Sequence, residues 1–135
     1  VKKPQILRLG GLDISILKKK LKINLKTKLH GKNNINSPGR GRVHYSPGIP
    51  IRLNAIKIKK DEAFILIKKK KENNKNYFYL SKTNNLMESS KNLYKTLRKI
   101  KKLGYRKIAV QRIPNRNFGL VINDRLLRAS KKWKI

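Results

Sequence analysis

A chain of 135 residues with 37 Lys and Arg against 6 Asp and Glu carries a formal charge of +31. Internal ion pairs cannot neutralise that excess, so self-repulsion opposes compaction unless a polyanion is near. Cysteine is absent, which excludes disulfides and cysteine-ligated zinc, and no apolar run approaches the ~20 residues of a membrane span. Hydrophobic residues make up 38%, enough for one small core. Nucleic acid is the first partner such a charge suggests, and an anionic membrane surface the second. The wealth of Lys, Asn and Ile points to an AT-biased coding sequence.

Residues 1–50 read as a basic extension followed by a loop. Leu12, Ile16, Leu17 and Leu21 form one stripe of a helix over about residues 12–20, with Asp13 as cap or first-turn acid. Leu21, Ile23 and Leu25 alternate instead as a strand would. The bland expectation for this part is an extension that orders only on RNA. Residues 30–50 hold four of the eight glycines and three of the five prolines, so no regular element is expected there. Gly39-Arg40-Gly41-Arg42 allows close backbone approach to a phosphate with two forked guanidiniums. His30 and His44 stand too far apart to suggest a metal site, and Tyr45 is available for base stacking.

Residues 51–135 read as the folded domain. Ile51, Leu53 and Ala55 alternate as a first strand. Residues 59–62 make a polar turn. Ala63 to Ile67 is an unbroken apolar run, the mark of a strand covered on both faces or of a helix fragment; its brevity and β-branched content favour the strand. Residues 68–76 form a second polar turn, and Tyr77-Phe78-Tyr79-Leu80 a third strand. Short polar turns between consecutive strands predict an antiparallel meander. In residues 89–103, Leu93, Leu97, Ile100 and Leu103 share one helical face, with Ser89 or Ser90 as cap. Gly104 stands where a left-handed C-terminal cap is wanted. Residues 107–113 follow as a strand, residues 120–130 as a second helix, and Trp133 and Ile135 as a short last strand. The expected fold is α/β: a small mixed sheet, order β-β-β-α-β-α-β, with helices packed on it.

Catalysis finds little support in these residues. The six acids are scattered except for Asp61-Glu62, whose carboxylates point apart in an extended turn. No phosphate-cradling loop between strand and helix is present. The expectation is a non-enzymatic protein with no cofactor and no metal. Basic residues occur on every segment, which suits a chain contacted by RNA phosphates from several sides.

From Gly104 onward, LGYRKIAVQRI followed by PNRNFGLVINDRLLRASKKWKI resembles the C-terminal half of large-subunit ribosomal protein eighteen, the 5S-rRNA-associated protein. The matching positions are Gly104, Arg112, Phe118-Gly119, Val121, Leu126 and Ile135, and Pro50-Ile51-Arg52-Leu53 is similar to the family's entry into its first strand. The chain departs from the pattern at Gln111, at Ile113-Pro114, at Phe118 and at Leu120. The resemblance implies an rRNA-binding constituent of a large ribosomal subunit, near its central protuberance. Composition and divergence add the expectation of a mitochondrial ribosome. Its partners would be ribosomal RNA and neighbouring ribosomal proteins, with no membrane span and no independent homo-oligomer. Candidate RNA contacts are Lys18, Lys19, Lys20, Lys32, Arg40, Arg42, His44, Tyr45, Arg52, Arg112 and Arg116. The competing readings are a protein like small-subunit ribosomal protein eleven and a non-ribosomal basic nucleic-acid-binding module.

Overall fold

The computed structural model describes residues 4–6, 8–27 and 46–130. In chain order the elements are β1 (Gln5–Ile6), α1 (Ile14–Leu21), β2 (Lys26–Thr27), β3 (Ile51–Arg52), β4 (Ala63–Leu66), β5 (Tyr77–Tyr79), α2 (Leu86–Lys102), β6 (Ile108–Val110) and α3 (Phe118–Ser130). The first two strands pair in parallel as a separate ribbon, Gln5 with Lys26 and Ile6 with Thr27. The other four make one sheet of order β3-β6-β4-β5, parallel at every junction.

The last strand in sequence therefore lies inside the sheet. Ile108 pairs with Ile51 on one side and with Ala63 on the other, and Ala109 with Arg52 and Phe64. Both faces of β4 and β6 are also covered by packed side chains, which is why these strands read as unbroken apolar runs. Ala63, Ile65, Ile108 and Val110 face the main core, against Leu93, Leu97 and Ile100 of α2 and Ile122 and Leu126 of α3. Phe64, Leu66 and Ala109 face the other side, against Ala55 with Ile58, Tyr77 and Tyr79 at the margin. Burying each large aliphatic side chain here contributes roughly 1.5–3 kcal/mol.

The antiparallel meander expected over residues 51–80 is replaced by this parallel arrangement. Residues 67–76 join β4 to β5. Four strand residues span ~13 Å and ten extended residues reach ~33 Å, so the loop can return to the start of the sheet without a helix. Length and polarity alone do not distinguish that return from a hairpin. The first strand is also shorter than its alternation predicts. Asn54 has φ +54°, a left-handed conformation that ends the extended run, and Ile56 is left 92% exposed.

Helix α2 begins a turn earlier than expected. Asn85, not Ser89 or Ser90, is the cap, accepting the Glu88 N–H at 3.0 Å. The two serines lie inside the helix, and their hydroxyls donate back to the carbonyls of Asn85 and Met87. Gly104, at φ +85°, closes the other end as predicted. Its N–H donates to Lys101 O, and the Tyr105 N–H to Ile100 O, the paired bonds that satisfy orphan carbonyls at a helix terminus. Leu103 falls outside the buried stripe and is 58% exposed, because it is the capping residue itself.

Helix α1 is capped by Asp13, whose carboxylate accepts the Ser15 N–H at 2.8 Å. None of its residues is buried, and Leu12, Ile16 and Leu21 of the expected apolar stripe are exposed. Helix α3 starts two residues earlier than expected, at Phe118, and holds Asn123 and Asp124 within it. The terminal strand expected at Trp133 and Ile135 lies outside the described residues.

Tyr105 and Arg125 tie the layers together. The Tyr105 ring meets Phe78 edge-on with centroids 5.5 Å apart, and its hydroxyl donates to Asn76 Oδ1 at 2.6 Å. Arg125 of α3 donates to Ser90 O of α2 at 3.1 Å while its guanidinium lies over the Tyr94 ring. The tightest approach is at Gly119, where an added Cβ would stand 1.8 Å from the Pro114 carbonyl oxygen. Gly119→Ala should therefore push the β6–α3 loop off its helix, at a cost of about 2–3 kcal/mol. Urea denaturation checks this; a midpoint unchanged from the parent chain would contradict the close approach.

Candidate functional site

In a parallel sheet, ligands bind in the crevice beyond the carboxyl ends of the strands. Here β3 and β6 pair side by side, and each is followed by a loop, residues 53–62 and 111–117. Between them lies a half-open pocket of about 240 Å³. Leu53, Val110, Ile113, Leu126 and Leu127 supply its apolar surface, and Asn54, Gln111, Arg112, Asn115 and Asn123 its polar surface.

One wall of the pocket is held by an ion pair. Arg52 meets Glu62 through two bonds, Nη2 to Oε2 at 2.7 Å and Nε to Oε1 at 3.1 Å. Arg52 Nη2 also donates to Lys57 O, and the Lys59 N–H donates to Glu62 Oε2 at 2.8 Å. Four bonds thus gather the chain from residue 52 to residue 62, and that loop presents Leu53 and Asn54 to the pocket. The Ala55 N–H then donates to Val110 O at 2.8 Å, tying the same loop to the end of β6.

The other wall is the β6–α3 loop. The Gln111 N–H donates to Ile65 O at 3.0 Å, which extends the sheet one residue beyond the strand. Asn123 Nδ2 donates to Ile113 O at 3.2 Å and to Asn115 Oδ1 at 3.4 Å, so α3 reaches back to fix the loop. Asn117 turns the chain at φ +49°, and Gly119 admits Pro114 to the start of the helix.

The basic residues expected to bind RNA are dispersed. Lys18, Lys19 and Lys20 lie exposed on the last turn of α1. Arg52 is taken up by Glu62. Arg112 lines the pocket, and Arg116 is exposed on the same loop. Lys32, Arg40, Arg42, His44 and Tyr45 lie outside the described residues. The four amides of the pocket and the buried Glu62 were not among the candidates. A polar Gln111 directly after an apolar strand was the available signal, but its meaning depends on knowing that β6 is an inner strand.

No group of three or more His, Asp or Glu capable of holding a metal occurs among the described residues. Nor is any helix among them long and apolar enough to cross a membrane.

These features define an open parallel α/β domain with a small amide-lined pocket at its strand ends. The family model for the threonylcarbamoyl-AMP synthase C-terminal domain, Sua5_C, matches residues 5–131, and the chain belongs to that family. A crystal structure of P. abyssi Sua5 complexed with L-threonine superposes with a TM-score of 0.73 at 22% identity, over 93% of this chain and 42% of that one. A variant of the same protein, with an adjacent His and Tyr both replaced by Ala, gives 0.72 at 20% identity over 93% and 41%. This likeness shows the fold. The chain spans about two fifths of the length of these structures. No curated protein matches its sequence.

The family assignment overturns the resemblance to large-subunit ribosomal protein eighteen and the ribosomal function, partners and rRNA role built on it. The protein-eleven reading and the free nucleic-acid-binding module fall with it. The expectation of a non-enzymatic protein is corrected too, since the family is a domain of a synthase. The ordered spacing that suggested the ribosomal family marks out a strand, a tight helix start and a helix. Small α/β domains of unrelated function share that succession.

The Arg52 guanidinium, bonded to Glu62, holds that carboxyl below the usual carboxylate range; burial opposes the shift and the Lys59 N–H reinforces it. A carboxyl with a lowered folded-state pKa stabilises the fold fully above its unfolded value of ~4.3. That contribution is lost as pH falls through the lower, folded value. Glu62→Gln should cost about 1–2 kcal/mol at neutral pH, towards the low end for a charged bond because Arg52 is partly exposed. It should also flatten the acid limb of stability against pH. Chemical denaturation from pH 7 down to 3 reads both; an acid limb as steep in the variant as in the parent would contradict the role given to the pair.

Proposed function

We propose that this chain works as part of a threonylcarbamoyl-AMP synthase and supplies its C-terminal, ligand-binding α/β domain. The observation that carries the reading is the family match over residues 5–131. The name of the product fixes its parts: threonine joined through nitrogen to a carbonyl carbon, and that carbonyl joined to AMP. With bicarbonate as the carbon source and ATP as the nucleotide, the threonine amine forms the C–N bond and a carboxylate oxygen takes the α-phosphorus. Pyrophosphate and water leave.

A first support is that the alignment with a similar structure, complexed with L-threonine, covers 93% of this chain and 42% of that one, as expected of one domain of a larger synthase. A second support comes from the loop. The sequence contains one His-Tyr pair, His44-Tyr45, within SPGRGRVHYSP, and one of the similar structures is a variant altered at just such a pair. We assign His44 and Tyr45 as its counterparts here. Ser46, the next residue in the sequence, donates its hydroxyl to Ala129 O of α3 at 3.3 Å.

The polypeptide that carries this chain, supplied with L-threonine, bicarbonate and ATP, should form threonylcarbamoyl-AMP and release pyrophosphate in equal amounts. Replacing His44 and Tyr45 together by Ala should lower the rate by about tenfold or more, the scale of loss from a misplaced positioning segment. Chromatography with mass detection follows the product. Pyrophosphate release without threonylcarbamoyl-AMP, or no turnover at all, would contradict the proposal.

A further inference from the structure

The pocket at the strand ends has a composition that selects among ligands. Four side-chain amides and Arg112 stand over an apolar floor, and none of the described residues lining it is acidic. Arg112 is exposed and takes part in neither ion pair found among the described residues, so its forked donors are free for a carboxylate. Asn123 spends its Nδ2 on Ile113 O and Asn115 Oδ1. That leaves Asn123 Oδ1 as an acceptor and Asn115 Nδ2 as a donor. The pair retains one N–H donor and one C=O acceptor, the two groups that an amide or urea edge bonds to.

An ammonium group would fare badly here. It would find no carboxylate among the described lining residues, and it would enter the field of a chain with net charge +31. Size narrows the choice further. At about 240 Å³ the pocket falls below the ~300–1,000 Å³ of sites for drug-sized ligands. It suits a molecule near the size of a derivatised amino acid and is too small to enclose a whole nucleotide.

We propose that this pocket binds a small carboxylate whose nitrogen is acylated or carbamoylated and therefore uncharged. Arg112 takes the carboxylate, and Asn115 and Asn123 take the amide or urea edge. The assignment follows from the pocket alone; only the choice of a threonine-based probe rests on the synthase reading. The domain thereby discriminates an N-blocked amino acid from the free zwitterion.

Calorimetric titration of the full chain at ~0.15 M salt, where charges beyond ~8 Å are screened, tests this with N-carbamoyl-L-threonine and L-threonine as probes. The carbamoyl compound should bind saturably with one site, about tenfold or more tighter than L-threonine. Arg112→Gln should weaken it by about tenfold or more, as for loss of a charge-assisted pair. Arg116→Gln, which removes the same charge from the same loop outside the pocket, should leave the affinity within about twofold, since it loses no direct bond. Equal binding of the two probes, equal losses in the two variants, or no binding of the carbamoyl compound would each overturn the proposal. Binding that holds while the polypeptide makes no threonylcarbamoyl-AMP would uphold the pocket and retire the synthase reading alone.

Discussion

The structure depends on the insertion of β6 between β3 and β4. Ile108 and Ala109 pair in parallel on both edges, Val110 pairs with β4, and all three are buried. They join a first strand that is only two residues long to the rest of the sheet. Without them β3 has no neighbour in the sheet, and the two core clusters lose their shared middle. Because all four strands run in one direction, their carboxyl ends lie at one edge. The insertion then brings the loop after β3 beside the loop after β6, and the pocket is the space between those loops. Fold and site thus have one cause.

Much of the fold was legible in the sequence. The apolar stripe of α2 and the glycine after it define a helix and its end. The run from Ala63 to Ile67 marks a strand covered on both sides. Asp13 marks a helix start. Local rules reach these features because each is settled within a turn or a few strand residues. Pairing is not settled there. Strands of two to four residues carry too few alternations to fix register or direction, and the loop over residues 67–76 is compatible with a hairpin or a parallel return. The pocket was hidden for the same reason, since Asn54 and Asn115 become neighbours only once β6 is placed. Asn54 and Asp61, both left-handed, look like ordinary turn residues. They belong to the loop that the Arg52–Glu62 pair draws shut.

The charge misdirects function more than fold. Lysines on every segment suggest a chain threaded through RNA; those on α1 and in residues 68–71 are exposed, Lys70 with its ammonium over the Phe64 and Tyr77 rings. A separate consequence remains. A net charge of +31 surrounds a pocket without acids, so small anions are drawn towards it and their local concentration rises. Arg112 is the cation that this field leaves directed at the pocket, while Arg52 and Arg128 are spent on Glu62 and Asp124. General positive charge gathers anions; the amides beside Arg112 decide which of them fits.

The central position of β6 is open to direct measurement. Backbone amide and α-proton contacts across the sheet can be recorded by nuclear Overhauser spectroscopy on labelled chain. The account predicts parallel-type contacts from Ala109 to both Arg52 and Phe64, and parallel-type contacts between Ile65 and Phe78. Antiparallel contacts between residues 63–66 and 77–79, or contacts from β6 to only one neighbouring strand, would contradict it.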